Sequence, residues 1–288
     1  MGTEIKRIGI VFSGGLSRGA IQSAFAQHVL DKIGMERVCC ISGSSIGAFN
    51  AYAAGCGHLS DMVAFYSKLD CDTTSTFTKR VKSGLFDKGF NLIEDELKVP
   101  VYTSGTRIFG LECYYFCLNK MPRLDLKRAI NVSMSYPFIN GPKMFKHHLW
   151  LDGGATDNVP VYPVIEYKPD MIIIFHNYPK YYPTEDIYEH IPPETVLVDV
   201  DVTLNLPKEF TSFSLSKIAF QEMIDIGNRD GQAFADFIFS DFDREKVRQR
   251  CYEFTRKNIP ARHEKSGDAL MNFVDVINAL YRLKSNLS

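Results

Sequence analysis

No stretch of this 288-residue chain is long and apolar enough to read as a bilayer-spanning helix, and no repeat, low-complexity tract or linker-like segment divides it. Charge of one sign is missing too: 33 Lys and Arg stand against 34 Asp and Glu, a net charge of -1, with no basic stripe or arginine cluster. Nucleic acid is therefore not an expected partner, because phosphate binding needs a concentrated cationic surface. The seven cysteines lack Cys-x-x-Cys spacing. The adjacent pair Cys39-Cys40 suits a reduced interior rather than a disulfide framework, and Cys113 and Cys117 have no matching second pair, so zinc is not expected. No EF-hand loop or carboxylate cluster is present, which removes calcium from the expectations and leaves no cofactor called for. Ser13-Gly14-Gly15 breaks the first apolar run too early for a secretory signal, and Lys6 stands where a myristoylation motif wants Ser or Thr. These absences point to a cytosolic protein.

What is there begins with a strand, a glycine turn and a helix. Ile8-Gly9-Ile10-Val11-Phe12 reads as a buried strand, Ser13-Gly14-Gly15-Leu16-Ser17-Arg18-Gly19 as the turn, and Ile21, Phe25, Val29 and Ile33 recur at helical spacing. Such a turn leaves the N–H groups of Gly14, Gly15 and Leu16 unpaired near a helix N-terminus, which makes an anion cradle. A dinucleotide or phosphate site is the rival reading. It is disfavoured because the spacing is not Gly-x-Gly-x-x-Gly and no Gly-Lys-Ser/Thr follows.

A second strand, Arg37-Val38-Cys39-Cys40-Ile41, runs into Gly43-Ser44-Ser45-Ile46-Gly47. Gly-x-Ser-x-Gly permits a sharp strand-to-helix turn that projects the serine hydroxyl outward, so Ser45 is a nucleophile candidate; the alternative is a tightly packed turn with no chemistry. Further on, His148-Leu149-Trp150-Leu151-Asp152-Gly153-Gly154 ends a strand with a carboxylate and another glycine turn. Asp152 reads either as a capping residue or as the partner of a serine; Asp157, without flanking glycines, reads as structural. A serine needs a base, usually a histidine held by a carboxylate, and His176, His190 and His263 lie downstream of Asp152. His176 is the best placed of them, ending the strand Met171-Ile172-Ile173-Ile174-Phe175, while His147 and His148 flank the aspartate strand.

The three elements, in this order, resemble the patatin-like phospholipase family of serine lipid acyl hydrolases. The resemblance covers about the first 175 residues, including Gly84-Leu85-Phe86-Asp87, Ser133-Met134-Ser135-Tyr136-Pro137 and Asn158-Val159-Pro160. It implies Ser45 as nucleophile, Asp152 as its direct base, and the amides of Gly14, Gly15 and Leu16 as oxyanion donors, with Leu16 standing where many members have a third glycine. Arg18 and Gly19 match the family's basic residue and glycine, and Gly43, Gly47, Gly153 and Gly154 support the two turns. The implied function is metal-independent hydrolysis of phospholipid or lysophospholipid esters through an acyl-enzyme, with transient peripheral contact to a membrane from the aqueous side. The alternatives are an α/β-hydrolase esterase with a Ser-Asp-His triad and a non-catalytic lipid-binding protein on the same fold. An aspartate of ordinary acidity would be a weak base in such a dyad, so tight positioning and strong oxyanion stabilisation are expected to compensate.

The expected architecture is a single α/β domain over 1–288, three-layer α/β/α, with a mainly parallel central sheet, its motif-bearing part at about 5–175 and a helical C-terminal third at about 211–285. Parallel strands are expected near Ile8, Val38, Met171 and Val196, and antiparallel hairpin or edge strands at Val101–Leu118 and Met144–Leu151. Leu215–Phe239, Asp243–Lys257 and Asp268–Leu283 show amphipathic helical spacing. Two segments qualify as mobile covers over a lipid site: Cys71–Phe90, and Asn177–Pro193 with Tyr178, Tyr181, Tyr182 and Tyr188. The basic runs Lys79-Arg80-Val81-Lys82 and Arg244–Arg250 read as solvated faces able to touch anionic head groups. Oligomeric state is not legible.

Overall fold

A computed structural model describes residues 4–93, 96–177 and 190–263, the last five by backbone alone. Eight strands build one sheet: β1 (Ile8–Phe12), β2 (Val38–Gly43), β3 (Val101–Arg107), β4 (Glu112–Cys117), β5 (Lys143–Phe145), β6 (His148–Asp152), β7 (Met171–His176) and β8 (Val196–Asp201). Their order is β5-β6-β3-β2-β1-β7-β8, with β4 also on β3. β8, β7, β1, β2 and β3 run parallel, whereas β3–β4, β3–β6 and β5–β6 pair antiparallel.

The parallel strands are apolar on both sides because both faces are covered. All five residues of β1 and all six of β7 are buried. Alternation survives in where they point: Ile10, Phe12, Ile173 and Phe175 join the larger core, while Val11, Ile172 and Ile174 join a smaller one closed by Val159, Val161 and Val164.

The larger core is roofed by α1 (Gly19–Ile33), α2 (Ile46–Cys56), α3 (Leu59–Ser67), α4 (Thr74–Lys82), α5 (Leu85–Leu92) and α6 (Arg123–Ser133). α7 (Tyr162–Ile165) packs on the opposite face, and the C-terminal region is helical, with α8 (Lys217–Ile238) against α1 and α9 (Arg244–His263) against β8. Asp268–Leu283 lies outside the described residues. No helix among the described residues is long and apolar enough to cross a membrane.

Both segments expected as antiparallel hairpin or edge strands are hairpins. Val101–Leu118 is a hairpin, but its first strand is no edge: β3 pairs in parallel with β2 and antiparallel with both β4 and β6. Gly105 makes that interior position possible, because Phe116 of β4 and Trp150 of β6 meet edge to face across it with ring centroids 5.0 Å apart, and an added Cβ would stand 2.7 Å from the Phe116 ring. Met144–Leu151 falls within the β5–β6 hairpin, turned at Lys146 and His147, both at positive φ (47° and 64°).

Candidate active site

Two strands end facing each other at the middle of β3. Gly43, the last residue of β2, pairs with Thr103; Asp152, the last of β6, pairs with Gly105. β2 runs parallel to β3 and β6 antiparallel on its other side, so their C-terminal ends approach each other from opposite directions and stop two residues, about 7 Å, apart along the length of β3. This register brings together the two glycine turns that the sequence places more than a hundred residues apart.

Ser45 sits at the apex of the turn between β2 and α2, with φ 53° and ψ -130°. A non-glycine residue at positive φ is strained and persists only where its surroundings over-determine it. Here its N–H donates to Ser133 Oγ at 2.9 Å, its carbonyl accepts the Ala48 N–H at 2.9 Å, and the Ser44 N–H donates to the Phe12 carbonyl at 3.1 Å. Gly47 lets the first turn of α2 lie against the end of β1: a Cβ there would stand 2.5 Å from the carbonyl oxygens of Phe12 and Ser13.

The hydroxyl of Ser45 donates to Asp152 Oδ2 at 2.7 Å. The other carboxylate oxygen accepts the Gly154 N–H at 2.8 Å, and the Asp152 carbonyl accepts from Thr106 Oγ1 at 2.8 Å. Asp152 is only 5% exposed. Burial raises its pKa to about 7, against the opposing pull of the bonds from Ser45 and Gly154. The carboxylate is therefore not of ordinary acidity, as the sequence reading supposed; desolvation gives it the basicity of an imidazole near neutral pH.

The three amides of the glycine turn are not equivalent. The Gly14 N–H is already committed, donating to Asn158 Oδ1 at 3.1 Å and to the Asn158 carbonyl at 3.3 Å. The amides of Gly15 and Leu16 make no hydrogen bond among the described residues. Leu16, in the place of a third glycine, adopts φ 50°, the left-handed conformation a glycine would take without strain. Gly14 has no room for a side chain, since a Cβ would lie 2.4 Å from Asn158 Oδ1 and 2.8 Å from Ser45 Cβ. Arg18 donates from Nη1 to the Asn177 carbonyl at 3.0 Å and from Nη2 to Phe210 O at 3.4 Å, and Gly19 opens α1. Gly153 opens the short turn that follows Asp152.

A buried polar chain beneath this turn escaped the sequence reading. Gln22 Nε2 donates to the carbonyls of Ser13 (3.0 Å) and Phe175 (2.9 Å). Asn50 Nδ2 donates to Gly19 O and to Gln22 Oε1, both at 2.9 Å, and Asn50 Oδ1 accepts from the Tyr66 hydroxyl at 3.0 Å. Asn177 adds an N–H to Ser13 Oγ at 3.0 Å. A signal existed: the amides Gln22 and Asn50 stand among the mostly apolar and small residues of the buried surfaces of α1 and α2. Ser133 and Asn158 lie within stretches recognised as family-like, but nothing in their spacing tells which atoms they hold.

The remaining candidates lie elsewhere. His176 is buried at the end of β7 and pairs through Nδ1 with Asp199 of β8. His190 is exposed, and the side chain of His263 falls outside the described residues. His147 is exposed in the β5–β6 turn, and His148 meets Trp150 edge to face at 6.1 Å. Asp157 accepts from the Tyr115 hydroxyl at 2.6 Å and from the Val159 N–H at 3.0 Å, consistent with a turn role, and burial raises its pKa.

Ser45 faces an apolar pocket whose walls include Leu16, Ile46, Phe77, Phe86, Met134 and Phe220. Its volume is about 30 Å³, room for little more than water. α4 and α5, from the first of the two segments expected as covers, supply Phe77, Val81 and Phe86 to it. The four tyrosines of the second candidate cover lie outside the described residues.

The family model described as "Patatin-like phospholipase" matches residues 10–165. Uncharacterized protein R571 of Acanthamoeba polyphaga mimivirus is 24% identical over 182 residues, covering 55% of this chain and 61% of its own length, so the chain spans about three fifths of that curated relative. Among solved structures, VipD from Legionella pneumophila aligns over 97% of this chain and 80% of its own with 10% identity and a TM-score of 0.43. Human GIVD cytosolic phospholipase A2 aligns over 90% of this chain and 60% of its own, with 11% identity and a TM-score of 0.44.

Proposed function

The chain belongs to the patatin-like phospholipase family, and from that premise we propose that it is a lipid acyl hydrolase working through a Ser45-Asp152 dyad on phospholipid or lysophospholipid esters. The observation that carries this reading is the 2.7 Å bond from Ser45 Oγ to Asp152 Oδ2, made by a serine held at a strained apex and a carboxylate whose pKa burial lifts to about 7.

In the proposed reaction Ser45 Oγ attacks the ester carbonyl as its proton passes to Asp152 Oδ2. The negative oxygen of the tetrahedral intermediate is received by the N–H groups of Gly15 and Leu16, which have no other acceptor among the described residues. Collapse breaks the carbonyl carbon–alkoxy bond; the leaving alcohol takes the proton from Asp152, and the acyl group remains on Ser45. Water then attacks that ester, giving its proton to Asp152, and the second collapse releases the fatty acid and returns the proton to Ser45 Oγ. No step calls for a metal. The acyl chain enters the pocket beneath α4 and α5, which must part to admit it because about 30 Å³ holds no hydrocarbon chain. Transient contact with a lipid surface supplies the substrate.

Labelling by a fluorophosphonate probe, with lipid mass spectrometry after incubation with mixed membranes, tests the reading. Wild type should be labelled and should release fatty acid, and Ser45→Ala should do neither. Identical product profiles for the two proteins would remove the assignment.

A further inference from the structure

A second cavity, of about 310 Å³, adjoins the Ser45 pocket, and the two share Val81, Phe86 and Asn140 as a common wall. Its chemistry is different. Lys82 from α4, Arg128 from α6 and Lys143 from β5 line it, together with Asn131 and a single carboxylate, Asp87. Three positive charges against one negative leave it cationic on a chain whose net charge is -1.

The cations are available to a ligand. Lys82 and Lys143 have no ion-pair partner among the described residues, and the contact from Arg128 to Asp125 is long, 3.6 Å, between partly exposed side chains. Asp87 lies in the first turn of α5, where the helix dipole favours its charge, and it folds back toward Gly84. The shared wall also carries an unmet need: Asn140 Oδ1 is buried without a hydrogen-bond donor among the described residues.

α6 sets the spacing between the two cavities. Ser133, which holds the Ser45 N–H, and Met134, which lines the Ser45 pocket, close the helix, while Arg128, Asn131 and Val132 face the cationic cavity. Arg128 and Ser133 are five residues apart, about 7.5 Å along the helix axis.

Resting on the hydrolase reading above, we propose that Lys82, Arg128 and Lys143 form the subsite for the phosphate of a glycerophospholipid or lysophospholipid, selecting phosphate-bearing esters over neutral acylglycerols. The phosphate occupies the cationic cavity, the acyl chain lies under α4 and α5, and a glycerol hydroxyl of a lysophospholipid donates to Asn140 Oδ1 on the wall between them. Arginine suits the role because its planar fork matches two phosphate oxygens, and the lysines add point charge.

The test compares the wild type with Lys82→Gln/Arg128→Gln/Lys143→Gln on two substrates of the same acyl chain, a lysophosphatidylcholine and a monoacylglycerol. The ratio of kcat/KM for the first over the second should fall at least tenfold in the variant; an unchanged ratio would overturn the proposal. A binding arm keeps this result separate from failure of the hydrolase reading. If the wild type cleaves neither ester, that reading fails, and the subsite is then decided by titrating both proteins with dodecylphosphocholine and with uncharged dodecyl maltoside below their micellar concentrations. A tenfold selective loss of dodecylphosphocholine binding supports the subsite, and equal losses for the two amphiphiles overturn it. Inorganic phosphate displacing dodecylphosphocholine at equal concentration would mark a free-anion site and overturn the lipid assignment.

Discussion

Ser45 Oγ and Asp152 Oδ2 meet at 2.7 Å across 107 residues of chain because β2 and β6 both end at the middle of β3, one running parallel to it and the other antiparallel. Asp152→Asn keeps the shape and the bond from Gly154 but loses the proton acceptor. It should lower kcat by roughly 10²–10⁴-fold, the range for a positioned general base. The far-UV circular dichroism of the folded protein should be unchanged. Retained turnover in a folded Asp152→Asn protein would show that another group takes the serine proton.

The pH profile follows from the same carboxylate. With a pKa of about 7, kcat/KM should rise about tenfold per pH unit below neutrality and level off above it; a carboxylate at 3.8 would give a plateau from about pH 5. Stability runs the other way. The folded state binds the Asp152 proton more tightly than the unfolded chain, so this group's contribution is full below pH 3.8 and is lost as pH rises through about 7. Asp152→Asn escapes that loss. It should be more stable than wild type at pH 8, by up to roughly 4 kcal/mol at about 1.4 kcal/mol per pH unit, and close to wild type at pH 3.5. Urea titrations at the two pH values check the sign.

Gly14 and Asn158 separate two contributions to the oxyanion turn. Gly14→Ala would press its methyl into Asn158 Oδ1 and Ser45 Cβ, so it should abolish fluorophosphonate labelling even though the substituted residue takes no part in proton transfer. Asn158→Ala removes one of the two acceptors on the Gly14 N–H and leaves the backbone carbonyl of residue 158 as the other. Its kcat should fall about tenfold, less than the 10²–10³ for loss of a direct oxyanion donor, with KM little changed. A loss as large as that of Gly14→Ala would show Asn158 acting on the reacting centre itself.

Phe86 is where the cover meets the pocket. Its ring packs against Phe49 at 5.5 Å and Phe77 at 6.5 Å. Phe86→Ala should cost about 3 kcal/mol of stability as a large-to-small core change. By opening space next to Ser45 it should raise kcat/KM for long-chain esters relative to short-chain ones. A p-nitrophenyl ester series from butyrate to palmitate gives the ratio, and an unaltered ratio would place the acyl chain elsewhere.

The chain reveals its glycine turns and its apolar parallel strands because each is a local pattern with a local physical reason, while the pairing of Ser45 with Asp152 comes from the family resemblance rather than from either local pattern. It does not reveal that β3 is interior, since that depends on Gly105 lying between Phe116 and Trp150, three residues that no short window contains. Nor does it reveal which of the three cradle amides is spent: the acceptor for Gly14 is 144 residues downstream. The basicity of Asp152 is hidden for the same reason, since desolvation is a property of the assembled site. Lys82, Arg128 and Lys143 read as scattered charges until α4, α6 and β5 place them around one cavity.

The chain of bonds from Tyr66 through Asn50 and Gln22 to the Ser13 carbonyl couples stability to catalysis. Asn50 is fully buried and supplies three of its hydrogen bonds, so Asn50→Leu strands the Tyr66 hydroxyl and the Gln22 Oε1 away from water, while the Gly19 carbonyl keeps its place in the α1 ladder. At about 1–3 kcal/mol for each of the two stranded groups, the loss should be roughly 2–6 kcal/mol. For a chain of this size, at about 2 °C per kcal/mol, that lowers Tm by roughly 4–12 °C. Tyr66→Phe strands a single group, Asn50 Oδ1, and should cost less, about 1–3 kcal/mol. In the double variant the two losses should not add, because leucine at 50 leaves the Tyr66 hydroxyl with nothing to donate to. Activity separates a positioning role from simple destabilisation. Measured well below its lowered Tm, Asn50→Leu should still show a reduced kcat, because Gln22 loses the partner that orients its Nε2 toward Ser13. Full kcat at low temperature would confine the chain to a packing role.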